Sequence, residues 1–190
     1  MAINLVEAVQ QKLNAGELQK IDPNTNAAVH KDEADYGNRI YQVAIPAVLT
    51  GLYKFTRIDE NNQAFINNNN ENLSSFFGEN TNDVINKISE VTASNVTDTK
   101  AKMQQIAEAS LNVLRVNLPE NFKDVDVKNF LTAQRHNILL YLDPALNLGS
   151  YISDDTIDDS TNKMEGPVTN IMHTIGQIFS GSGNDQKEEI

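Results

Sequence analysis

YGNRIYQVAIPAVLTGLYKFTR, Tyr36 to Arg57, is the most apolar continuous stretch of this 190-residue chain, and its reading decides the fold. Wound as a helix, it places Ile40, Val43, Ala44, Ala47, Val48 and Gly51 on one face, while Ile45, Leu49, Leu52, Tyr53 and Phe55 cover much of the rest. A helix that is apolar nearly all round has to be buried. Its 22 residues are enough to cross a bilayer, but Arg39, Gln42, Lys54 and Arg57 shorten the uncharged part to 14, which suits a core helix rather than a span. Pro46 lies inside it and removes a backbone donor, so the spacing predicts a kink or two abutting helices at that point.

Working outward, Ile3, Val6, Val9 and Leu13 recur at helical spacing and give a short amphipathic helix that Asn14-Ala15-Gly16 ends. Asp22-Pro23 reads as a cap with proline at the first helical position, opening a second short helix. Acidic Asp32, Glu33 and Asp35 then precede the central helix, where negative charge complements the helix dipole. On the other side, the asparagine run 67–70 marks a connector, and Phe76-Phe77-Gly78 an apolar plug with a helix stop. Thr81 or Asn82 caps a helix carrying Val84, Ile85, Ile88 and Val91. Asn95 to Asp98 signals the start of the second long helix, 97–118, with Met103, Ile106, Ala107, Ser110, Leu111, Leu114 and Leu118 on its buried side. Pro119 stops it. Phe122 and Val125 precede a helix bearing Val127, Phe130, Leu131, Ile138, Leu139 and Leu142, and Asp143-Pro144 turns the chain. No segment alternates apolar and polar residues between hairpin turns, so the expectation is an all-α, multihelical single domain over 1–180 with two long buried central helices, 37–57 and 97–118, and a disordered tail over 181–190.

Composition narrows the function classes. A net charge of −11 and scattered basic residues disfavour a phosphate backbone and an anionic membrane surface, so neither nucleic acid nor membrane is expected as a partner. Absence of cysteine excludes disulfides, zinc thiolates and a thiol nucleophile. The first 13 residues lack the charged and apolar regions of a signal peptide, which points to the cytoplasm.

Three segments resemble a family of uncharacterised bacterial proteins, the YidB-like or DUF937 proteins. They are the proline-containing Ala44 to Leu52 ending in Gly-Leu, the Phe76-Phe77-Gly78 segment before the next helix, and the acidic stretch Asp158 to Gly166. The resemblance implies a multihelical fold with buried central helices. It implies no activity and no catalytic residues.

The sharpest site-like feature is Asp154 to Glu165, DDTIDDSTNKME. Numbered as a calcium loop it offers Asp154, Thr156, Asp158, Ser160, Asn162 and Glu165 at the oxygen-ligand positions, but Asp159 occupies the place where the tight turn requires glycine. An acidic segment that caps the following helix accounts for the same residues. His30 with Asp32, Glu33 and Asp35 is a second cluster of ligand types, for which a solvated, dipole-complementing face is the simpler account; His136 and His173 have no local carboxylate partner. Neither a nucleophile elbow nor a phosphate loop occurs, so no catalytic residue and no cofactor is assigned. The last amphipathic segment, 164–179, has Met164, Val168, Ile171, Met172, Ile175, Ile178 and Phe179 on one face and suits docking on another protein or a second copy of the chain. The expectation is a non-enzymatic helical scaffold or protein-interaction module. The alternative is a small metal-binding or hydrolytic enzyme whose carboxylates the fold assembles.

Overall fold

The computed structural model describes residues 3–21, 36–58, 62–67 and 73–152. Among them the chain forms α1 (Leu5–Lys12), α2 (Tyr36–Ile58), α3 (Asn62–Asn67), α4 (Leu73–Phe77), α5 (Thr81–Thr92), α6 (Val96–Asn117), α7 (Asp124–Leu139) and α8 (Leu148–Ile152), with 3-10 turns at Gly78–Asn80 and Pro144–Leu146. The fold is all-α, and the described residues contain no strand. The chain divides into two compact units, Met1–Asp158 and Asp159–Ile190, and every described residue belongs to the first. The expected helix after Asp22-Pro23, the apolar face of 164–179 and the tail 181–190 lie outside the described residues.

Burial of α2 follows from its composition. Every residue from Ile40 to Tyr53 is buried, and α1, α4, α5, α6, α7 and α8 all pack on it, with its most extensive contacts made to α6 and α7. Each fully buried aliphatic side chain contributes roughly 1.5–3 kcal/mol, and α2 supplies Val43, Ile45, Val48, Leu49 and Leu52 with no exposure at all. Pro46 does not split the element: α2 is one uninterrupted α-helix, so the expectation of two abutting helices is corrected. One turn on, the Thr50 hydroxyl donates to the Pro46 carbonyl (2.8 Å), which satisfies a polar side chain inside an apolar face.

The helix ends follow capping chemistry where the sequence supplies it. Asn4 accepts from the Val6 amide at the start of α1, and Asn95 accepts from the Thr97 amide at the start of α6. Gly78 ends the α4 plug with φ +56°, and both phenylalanines before it are buried. Neither Thr81 nor Asn82 caps α5 as expected. That helix continues directly out of the 3-10 turn, and the Thr81 hydroxyl donates back to the Gly78 carbonyl. At its other end Ala93 takes a left-handed conformation (φ 50°), and the Ala93 and Ser94 amides donate to the Glu90 and Ser89 carbonyls. Helix α7 starts at Asp124, so Val125 lies within it and is 54% exposed rather than preceding it.

Candidate functional site

None of the described residues forms a group of three or more His, Asp or Glu side chains able to hold a metal ion. Asp154, Asp158, Ser160, Asn162 and Glu165, and the His30 cluster, lie outside the described residues. His136 is exposed on the last turn of α7. No described helix is long and apolar enough to cross a membrane.

What the fold does gather is a set of buried polar side chains trained on backbone groups. Gln134 sits between Leu131 and Ile138 on the buried face of α7 and is 4% exposed. Its Oε1 accepts from the Leu5 amide and its Nε2 donates to the Ile3 carbonyl, both at 2.9 Å, so one primary amide holds the entry to α1. Gln42 on α2, 5% exposed, repeats the arrangement. Its Oε1 accepts from the Gln19 amide (2.7 Å) and its Nε2 donates to the Gln19 carbonyl (2.8 Å). A buried amide left unpaired costs about 1–3 kcal/mol, so each glutamine favours the docked position of the segment that satisfies it.

Residues 15–21 follow from this geometry. They carry no helix and run beside α2, where Gly16 lies so close to Asn38 that a Cβ at Gly16 would fall 2.5 Å from the Asn38 amide nitrogen. Asn38 and Gln42 are one turn apart, so Gly16 and Gln19 meet the same stripe of the helix. Leu18 is buried between them at 6% exposure, and the segment ends with the Ile21 amide donating to the Leu140 carbonyl (2.9 Å). The next residue, Tyr141, is buried, and its phenol is pushed above the usual tyrosine range by burial first and then by the carboxylates of Glu7 and Glu17.

Elsewhere the same use of polar groups recurs. Asn62 donates to the Thr56 carbonyl in the last turn of α2, and Arg115 Nε donates to the Ile66 carbonyl, tying α6 to α3. A pocket lined by Thr50, Tyr53, Arg135, Ile138 and Leu139 has about 10 Å³ of room, the scale of one water molecule. Asp143 accepts from the Ala145 amide and so caps the 3-10 turn that follows it.

Nothing in the sequence marks out Gln134, and Gln42 reads there as a polar interruption of the apolar run. The available signal was position: an uncharged polar residue amid apolar neighbours on a buried stripe must find partners. Their identity was not readable, because they are backbone groups far along the chain.

No family model, curated protein or solved structure matches the chain.

Proposed function

We propose that this chain is a non-enzymatic, cytoplasmic helical interaction module whose 164–179 segment presents an apolar face to another protein or to a second copy. The observation that carries this reading is the use of buried polar groups among the described residues. Gln42, Gln134 and Asn62 bind backbone groups of other segments, and Thr50, Thr92 and Ser110 donate to carbonyls one turn back in their own helices, so these buried hydrogen bonds all serve the fold itself. A segment whose apolar residues recur at three-four spacing, with two methionines among them, suits helix-in-groove recognition.

Membership of the YidB-like proteins belongs to the same proposal. It rests on the three resembling segments of the sequence alone; two of them touch in the fold, where the Phe77 ring packs against Gly51 and a Cβ there would fall 2.6 Å from its Cε1. The third segment lies outside the described residues.

The test is light scattering on the purified chain combined with affinity capture by the full-length protein. A mass of about twice 21.1 kDa, or a partner retained by the wild type and lost from an Ile171→Glu, Ile175→Glu double variant, is the expected result. A strictly monomeric chain that retains nothing overturns the reading.

A further inference from the structure

We propose that the cleft on α2 occupied by residues 15–21 is a receptor site for a non-helical peptide with a leucine anchor, and that the chain's own segment is its displaceable resident. This deepens the interaction-module reading but concerns a surface distinct from 164–179.

The cleft recognises features that any peptide can supply. Gln42 binds the amide and the carbonyl of a single residue, Gln19, and makes no use of that residue's side chain. The Leu140 carbonyl takes one more backbone amide, from Ile21. Side-chain selectivity comes from two places. Leu18 is the one buried side chain of the segment, and at the position of Gly16 any residue larger than glycine requires the Asn38 side chain to move aside. Main-chain hydrogen bonds for affinity and a small number of side-chain positions for selectivity are the working parts of peptide recognition grooves.

The resident is also lightly held. Glu17, Gln19 and Lys20 are exposed, and Ala15 and Ile21 are only partly covered, so the segment rests on one anchor and a few hydrogen bonds. The preceding helix α1, in contrast, buries Leu5, Val6 and Val9 completely. A segment with few buried apolar contacts belongs to the part of a protein that opens first. Opening at 15–21 while α1 stays docked leaves the Gln42 amide and the Leu18 position available to a competing chain.

The experiment uses a fluorescein-labelled peptide of residues 13–22, LNAGELQKID, and the full-length protein, read by fluorescence anisotropy. Leu18→Asp removes the resident's anchor, and circular dichroism establishes that this variant keeps its helices. The peptide is expected to bind the Leu18→Asp chain at least tenfold more tightly than the wild type, whose cleft is filled. Adding Gln42→Ala to that variant is expected to weaken binding at least tenfold, and a peptide carrying Leu18→Asp is expected not to bind. If Leu18→Asp does not fold, Gln19→Pro, which deletes the amide that Gln42 accepts from, takes its place under the same criteria. Equal affinity for the wild type and the loosened chain overturns the proposal, as does binding that survives Gln42→Ala or no binding to a folded variant. These outcomes are independent of the mass and capture measurements that test the 164–179 face.

Discussion

At the scale of single residues, two positions show backbone and packing demands in opposite directions. Gly51 lies inside α2, where alanine normally gains about 1 kcal/mol over glycine. Here the buried Phe77 ring fills the space that a Cβ would enter. Crowding a packed core costs about 1–3 kcal/mol, which outweighs that gain, so Gly51→Ala is expected to destabilise by up to about 2 kcal/mol in urea unfolding, and Phe77→Leu in the same chain is expected to recover part of that loss. Ala93 presents the reverse case. It adopts φ 50° at the end of α5, as Asn14 and Asn147 do in their turns, but alanine lacks the side-chain oxygen that helps asparagine tolerate the left-handed region. That conformation costs an L-residue about 1–2 kcal/mol, and glycine's extra chain entropy returns about half of it. Ala93→Gly is therefore expected to stabilise by about 0.5–1 kcal/mol, a rise of about 2 °C in Tm. A fall in Tm would mean that the turn is held by the hydroxyl chain of Thr92, Ser94 and Thr99 rather than limited by the strain at Ala93.

At the scale of elements, the long helices were legible because their signals are local. Every residue named for the buried side of the second long helix is buried, Leu118 as the residue that closes α6, and its Asn95 cap and the stop at Pro119 set its ends at Val96 and Asn117. Tyr36 to Arg57 became α2 with one more residue, since apolarity on all sides leaves a helix no place but the core. The attachment of the N-terminal segment was not legible. Gln134 and Leu5 are 129 residues apart, and the partner is a main-chain amide that every residue type carries. The same physics ranks the two glutamines. Replacing Gln134 strands a buried amide and carbonyl at the entry to α1, so Gln134→Ala is expected to cost about 2 kcal/mol and to abolish hydrogen-exchange protection at Leu5. Gln42→Ala releases a segment that water can reach, and a smaller loss of about 1.5 kcal/mol is expected. Equal losses in the two variants would show that residues 15–21 are as firmly integrated as α1.

At the scale of the whole molecule, charge is unevenly distributed along the sequence. The described residues hold 12 of the 15 Lys and Arg but 11 of the 26 Asp and Glu, so the net charge of −11 arises in the remaining segments. The helical body is close to neutral, and its own self-repulsion is small. Within it, Tyr141 is where several elements converge on one titratable group: burial raises its pKa above the ordinary 10.0, and Glu7 from α1 and Glu17 from the adjoining segment add repulsion toward a tyrosinate. The sign follows directly. Folding favours the neutral phenol, so its contribution is complete below pH 10, where folded and unfolded chains are both protonated. Above pH 10 the unfolded chain releases the proton first, and the contribution is lost as pH rises through the higher folded value. Alkaline pH acts on the whole chain, so the wild-type curve alone does not isolate this group. The difference between wild type and Tyr141→Phe does. Thermal melts from pH 8 to 11.5 are expected to give a constant difference up to about pH 9.5 and then a steeper fall for the wild type. Removing Glu17 as well, in a Glu17→Gln chain, is expected to make the wild-type fall shallower without shifting the Tyr141→Phe curve by the same amount. A difference that stays flat to pH 11.5 would place the Tyr141 phenol in solvent and remove the electrostatic link between α1, residues 15–21 and the turn that follows α7.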